Sequence, residues 1–190
     1  MRADFARQRE KMVIHQIAAR GIHDGRVLEA MWEIRREDFL PEFARAHAYD
    51  DNAIGIGEGQ TISQPLIVAM MSSALELKGH EKVLEVGAGS GYGAAVLARL
   101  AREVYALERN PVLSQTARAH LKTAGILNVK VICSDGNFGW MKAAPFDAIS
   151  VTAGAVGVPQ PLLDQLSMGG RLVIPVGPDR DAQQLLRITK

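Results

Sequence analysis

The chain has 190 residues, of which 47% are apolar and 23% charged, and a net charge of +1. That is the length of one domain with ample material for a core, which excludes wholesale disorder. So small a net charge excludes a bulk field that would draw the chain onto nucleic acid or an anionic membrane.

The first residues, with Asp4, Arg7, Arg9, Glu10 and Lys11, hold no apolar run behind a basic tip. No secretory signal is read there, and the cytoplasm is the expected location. Met12, Val13, Ile14, Ile17 and Ala18 give a helical apolar stripe, with Gly21 as its stop. Asp24 is placed to cap a second helix whose buried face is Val27, Leu28, Met31 and Ile34. Arg35 and Arg36, interleaved with Glu33, Glu37 and Asp38, read as a solvated helix end. Residues 41–64 read as a loop containing Gly55, Gly57 and Gly59. Pro65 suits the first position of a third helix carrying Ile67, Val68, Met71 and Leu75.

From Lys82 the period changes. Strands are expected at Lys82–Val86, Glu103–Leu107, Val129–Ile132, Asp147–Thr152, Arg171–Pro175 and Leu185–Thr189. Helices are expected at Tyr92–Ala101, Val112–Ala124 and Gln160–Leu166. Strand and helix in alternation imply an α/β fold: a mostly parallel, doubly wound, Rossmann-like sheet with an N-terminal helical extension. The pattern divides near residue 80, into a helical region 1–80 and a sheet region 81–190, within one structural domain. Ligands of such sheets sit at the carboxyl ends of the strands, at the switch point. The uncharged stretch from Ala148 to Leu163 is broken by Gly154, Gly157, Pro159 and Pro161 and falls short of a membrane span. Cys133 is the only cysteine, which fits a reducing compartment, and it is expected to be a buried packing residue.

The run Val83-Leu84-Glu85-Val86-Gly87-Ala88-Gly89-Ser90-Gly91-Tyr92-Gly93 is a strand, a glycine turn and a helix start. Glycines at 87, 89 and 91 let the backbone turn sharply and approach a ligand. A dinucleotide fingerprint needs glycine at position 92, which is Tyr, and no Gly-Lys-Ser/Thr follows for a phosphate loop. The pattern Gly-x-Gly-x-Gly resembles instead the turn that binds S-adenosylmethionine. Gly87, Ala88, Gly89, Ser90 and Gly91 are therefore the expected cofactor contacts. Glu108 ends the second sheet strand, where a carboxylate accepts from ribose hydroxyls. Asp135-Gly136 follows the third, within reach of an adenine amino group. Glu85 is a charged residue inside a predicted buried strand, which is costly unless paired. It is either a carboxylate facing the methionyl amino group or a paired core residue. The histidines at 15, 23, 47, 80 and 120 show no metal-ligand spacing, and no metal is expected.

Gly59-Gln60-Thr61-Ile62-Ser63-Gln64-Pro65 lies outside the expected sheet. With it the chain resembles the protein-L-isoaspartate (D-aspartate) O-methyltransferase family. Agreement extends to Arg20-Gly-Ile-His-Asp, Phe39-Leu-Pro, the glycine turn, Asp135-Gly136 with Gly139-Trp140, Pro159-Gln-Pro-Leu-Leu and Gly169-Gly-Arg-Leu-Val-Ile-Pro-Val-Gly. The resemblance implies a class I methyltransferase that repairs damaged proteins. Its cofactor is S-adenosylmethionine and its partners are proteins or peptides with isoaspartyl residues, with no nucleic acid or membrane involved. The methyl group goes to the free α-carboxylate, and the ester then closes to a succinimide that partly reopens as aspartate. The resemblance places the active-site serine at Ser63, and Gln60, Thr61, Ile62, Gln64 and Pro65 on the substrate side. A carboxylate is already an anion at pH 7, so alignment rather than a general base is the main requirement. Ser63 can donate one hydrogen bond to it. Two departures stand out. Gly93 occupies a position where glutamine is expected, and relatives continue past the last predicted strand, so the sheet is expected to end in an exposed edge or under a second chain.

Three rivals compete with this reading. A class I enzyme acting on another carboxylate or a small molecule shares the cofactor motif. One acting on DNA amino groups needs an Asn/Asp-Pro-Pro-Tyr-like turn after the fourth strand, where the chain reads Val151-Thr152-Ala153-Gly154-Ala155. A cofactor-binding relative without catalysis is the non-enzyme alternative.

Overall fold

The computed structural model describes residues 4–178 and 182–190. Its centre is a six-stranded sheet of β3 (Lys82–Val86), β4 (Glu103–Glu108), β5 (Val129–Cys133), β6 (Phe146–Val151), β7 (Leu166–Val176) and β8 (Gln184–Thr189). The spatial order is β5-β4-β3-β6-β7-β8. Neighbours from β5 through β7 pair parallel, and β8 closes one edge antiparallel to β7. Numbered from the first sheet strand this is the doubly wound 3-2-1-4-5-6 order, so the direction of winding reverses between β3 and β6.

Residue alternation along β3 assigns the two faces. Val83 joins one core cluster with Val96 and Leu97 of α4 (Tyr92–Leu100) and with Met12, Ile17, Met31 and Leu75 from the first half of the chain. Leu84 and Val86 join the other with Leu107, Ile149, Leu162, Leu172 and Ile174. Both central strands are covered on both faces, which is why they read as nearly continuous apolar runs.

The N-terminal half supplies the cover for the first face. α1 (Phe5–Lys11) runs into a wider π-helical turn, Met12–Ile17, and a short 3₁₀ turn that stops at Gly21, whose φ of 97° is the left-handed helix stop. Asp24 caps α2 (Gly25–Glu33) by accepting from the backbone N–H groups of Arg26 and Val27. α3 (Pro65–Ala74) starts with Pro65 at its first position. α5 (Pro111–Thr123) and α6 (Gln160–Asp164) complete the crossovers.

Several local expectations are corrected. The loop at 41–64 holds a 3₁₀ turn, Glu42–His47, and a hairpin of β1 (Ile54–Gly57) and β2 (Gln60–Ile62). The sixth helix ends at Asp164, and Leu166 already belongs to β7. On α3 the buried positions are Pro65, Leu66, Ala69, Met71 and Ser72, while Ile67 is exposed, because the helix is apolar nearly all round and period alone does not choose a face. Ile14 is likewise exposed. Cys133 is exposed, since it ends the edge strand β5 rather than an inner one. Arg36 is 0% exposed, not a solvated helix end. Among the described residues no helix is long and apolar enough to cross a membrane.

Candidate active site

At the winding reversal a cleft of about 400 Å³ opens along the carboxyl ends of β3, β4 and β6. Its floor is the glycine turn. Gly87 and Ala88 donate backbone N–H bonds to the Leu107 carbonyl at 2.9 and 3.0 Å, which ties the turn to β4. Gly87 has φ 97°, and a Cβ there would stand 2.7 Å from Thr152 Oγ1, so strain and crowding both demand glycine. Thr152 in turn donates to the Gly87 carbonyl at 2.6 Å. His120 Nδ1 donates to the Ser90 carbonyl at 2.9 Å, holding the far side of the turn from α5.

Three carboxylates meet this floor. Glu108 Oε2 accepts from Gly89 N–H at 2.9 Å, and Oε1 accepts from Asn110 N–H at 2.8 Å. Each oxygen keeps a second lone pair for the cleft. Asp135 Oδ1 accepts from Asn137 N–H and the residue is exposed at the rim. Gly136 beside it is buried, and a Cβ there would collide with Val86. Glu85 is 1% exposed and its Oε2 has no partner. Burial, and then the charge of Glu108, push its carboxyl up to about 8. Among the described residues Glu85 has no ion pair and its buried Oε2 no hydrogen bond, so the protein itself offers it no pairing group. Gly93 is what makes room for it, since a Cβ at 93 would collide with Glu85 Oε1.

The opposite wall comes from the hairpin. Its two-residue turn, Glu58 and Gly59, has φ of 54° and 66°, the pair of positive values that a type I′ turn requires. Ile56 reaches down so that its Cδ1 lies 3.4 Å from where a Gly89 Cβ would be. Glu58 accepts from Asn110 Nδ2 at 3.1 Å, joining the hairpin tip to the start of α5. Gln60, Thr61, Ile62 and Ser63 line the cleft from this side. Gln64 and Pro65 do not line it. Gln64 instead donates to Asp51 Oδ1 at 2.7 Å and to its carbonyl at 3.1 Å, and Pro65 opens α3.

Of the residues singled out from sequence, Ser63, Glu85, Gly87, Ala88, Gly89, Ser90, Glu108, Asp135 and Gly136 face one cleft, while Gly91 caps α4 behind it. The same cleft is lined by Glu58, Asn110, Asn137 and Thr152, which sequence reasoning missed. Thr152 and Asn110 had a signal available, because Thr152 directly follows β6 and Asn110 stands two residues past the end of β4. Glu58 had none. A volume near 400 Å³ suits a ligand of nucleoside size, and the unpartnered buried oxygen of Glu85 suits one bearing a cation.

Comparison with known proteins agrees with this geometry. Residues 7–190 match the model of the family described as protein-L-isoaspartate(D-aspartate) O-methyltransferase. The chain is 56% identical over 187 residues to protein-L-isoaspartate O-methyltransferase 2 of Marinobacter nauticus, covering 98% of this chain and 85% of that one. A solved protein-L-isoaspartate O-methyltransferase superposes with a TM-score of 0.86 at 31% identity, covering 96% of this chain and 60% of that longer one. A Plasmodium falciparum protein-L-isoaspartate O-methyltransferase, solved with S-adenosyl-L-homocysteine, superposes with a TM-score of 0.79 at 29% identity, covering 95% of this chain and 89% of that one.

Proposed function

This chain belongs to the protein-L-isoaspartate(D-aspartate) O-methyltransferase family, and on that premise we propose how its cleft divides the work. It is an S-adenosylmethionine-dependent methyltransferase that acts on isoaspartyl residues of damaged proteins. The cofactor supplies a sulfonium methyl group already attached to a good leaving group. The residues of the cleft fit it: an unpartnered buried carboxyl, a glycine floor and, beside that floor, the carboxylates of Glu108 and Asp135.

The roles follow from the side chains. The glycine turn at 87–91 admits close backbone approach. Glu85 accepts from the methionyl ammonium, Glu108 from the ribose hydroxyls, and Asp135 with Gly136 bounds the adenine. On the hairpin side, Ser63 donates to the acceptor carboxylate, while Gln60, Thr61 and Ile62 bound the space it enters. Gln64 and Pro65 shape that wall from behind, through Asp51 and the start of α3. No base is needed, because the acceptor is an anion at neutral pH. The enzyme's task is to hold oxygen, methyl and sulfur in line, which is worth several orders of magnitude by orientation alone. A single exposed thiol suits a reducing compartment, and we place the enzyme in the cytoplasm.

The observation that carries this reading is that Ser63 and Glu85 face the same cleft from opposite walls. Labelled methyl transfer to an isoaspartyl peptide, beside its aspartyl twin, tests it. Base-labile label is expected on the isoaspartyl peptide alone, and Ser63→Ala is expected to lower kcat by about 10²-fold with cofactor affinity retained. Equal labelling of both peptides would defeat the substrate assignment, and an unchanged rate in Ser63→Ala would defeat the role of Ser63.

A further inference from the structure

Arg36 is among the largest fully buried side chains of the described residues, and no ion pair or hydrogen bond links it to a carboxylate there. Its acidic neighbour in sequence, Glu37, is engaged elsewhere: it accepts from the Tyr49 hydroxyl and pairs with Arg9 at 3.7 Å and Arg35 at 3.4 Å. Burial lowers the pKa of Arg36, and Tyr92 and Tyr49 act against that. Burying a guanidinium without a counter-charge is costly, so its partners must require it. They are two carbonyls and a ring, and Nη1 is left buried without a hydrogen-bond partner. Nε donates to the Ala48 carbonyl at 2.8 Å, Nη2 donates to the Ser63 carbonyl at 2.8 Å, and the guanidinium lies 4.9 Å over the ring of Tyr92.

Those partners span the two walls. Tyr92 is the first residue of α4, directly after the glycine turn, and Ser63 stands between β2 and the cap of α3. A planar fork with two donors on one edge and an aromatic face beneath it fixes direction as well as distance, which a lysine ammonium does not. We propose that Arg36 is a positioning residue for the transfer: by holding the Ser63 carbonyl against the Tyr92 ring, it aims the Ser63 side chain at the cofactor side of the cleft. This rests on the reading of Ser63 as the acceptor-side hydroxyl.

The test places Arg36→Lys and Arg36→Gln in the full chain, each in the wild-type and Ser63→Ala backgrounds. S-adenosylhomocysteine affinity is measured by calorimetry, and kcat and KM with an isoaspartyl peptide. In the wild-type background kcat is expected to fall by about 10²-fold, the scale of a 1 Å misplacement, with cofactor Kd within about threefold. In the Ser63→Ala background the same substitutions are expected to change kcat by less than about twofold, because nothing is left to aim. Equal losses in both backgrounds, or a matching loss of cofactor affinity, would make Arg36 a prop of the fold and overturn the proposal. Failure of both variants to bind cofactor at all would do the same. If Ser63→Ala alone leaves kcat unchanged, the reading of Ser63 fails first and takes the proposal with it.

Discussion

The two walls of the cleft are built by different means. The cofactor wall is made of strand ends and backbone: a glycine turn bonded through its own N–H groups to β4, its carbonyls met by Thr152 and His120, and Glu108 fixed by two backbone N–H groups. The acceptor wall is a short exposed hairpin with no sheet neighbour among the described residues beyond its own two strands, held in place by side chains: Arg36 to Ser63, Gln64 to Asp51, Asn110 to Glu58. A wall set by backbone sterics within a sheet fails when an atom is added or a backbone acceptor is removed. A wall set by side-chain bonds loses its aim by degrees while the fold survives. Orientation-dependent steps should therefore be most sensitive to the second wall, and binding to the first.

The strongest way to break this contrast is Glu108→Ala. The substitution strips acceptors from two backbone N–H groups in a largely buried site, at about 1–3 kcal/mol for each one left unmet, and also removes the proposed ribose contacts. S-adenosylhomocysteine Kd is expected to rise by about 10²-fold or more by calorimetry, with a lowered melting temperature. A Kd within about threefold of wild type would mean that the cofactor wall does not draw its strength from this carboxylate.

The same contrast explains what was legible in the sequence. The sheet strands and the glycine turn are local: apolar runs of strand length put Glu85 inside the first of them, Glu108 at the end of the second and Asp135 just past the third without any knowledge of contacts. The hairpin is not local in that sense. Its strands have four and three residues, and its turn is Glu58-Gly59 rather than the Asn-Gly that announces positive φ at both positions. Arg36 sits among charges, a pattern that ordinarily means solvent, and its partners Ala48, Ser63 and Tyr92 are brought to it only by the fold. Cys133 misled for a related reason, since an apolar run does not say whether its strand lies inside the sheet or at the edge.

Glu85→Gln sharpens the comparison by separating stability from binding on the cofactor wall. The Glu85 carboxyl is held near 8 against an ordinary 4.5. Between those values the folded chain keeps a proton that the unfolded chain has shed. Its contribution to stability is thus fully present below about 4.5 and is lost as pH rises through about 8. Glutamine is neutral throughout, so at pH 8 the ligand-free variant is expected to melt higher than wild type. Binding should move the other way. A cation at Glu85 expels the proton, so wild-type cofactor affinity is expected to rise with pH between about 6 and 7.5, by at most about one decade per unit. That rise should vanish in Glu85→Gln, along with about tenfold in affinity at pH 7. An identical pH slope in both proteins would show that Glu85 does not meet the cation.

The smallest effects lie where the walls touch, at Asn110 and Glu58. Asn110 caps α5, its Oδ1 accepting from Val112 N–H at 2.8 Å and Leu113 N–H at 3.2 Å, while its Nδ2 reaches Glu58. Asn110→Ala removes both cap and link, so a loss of about 1 kcal/mol is expected, seen as a fall of about 2–4 °C in melting temperature. Glu58→Gly removes only the link, an exposed bond of small value, and relieves a non-glycine residue at φ 54°. Its melting temperature should stay within about 2 °C of wild type. If the hairpin belongs to the acceptor wall alone, Glu58→Gly changes the peptide KM by about threefold or less and leaves cofactor Kd where it was. A rise in cofactor Kd of more than about threefold in Glu58→Gly would show that the hairpin tip holds the cofactor too, and that the cleft has one continuous wall rather than two.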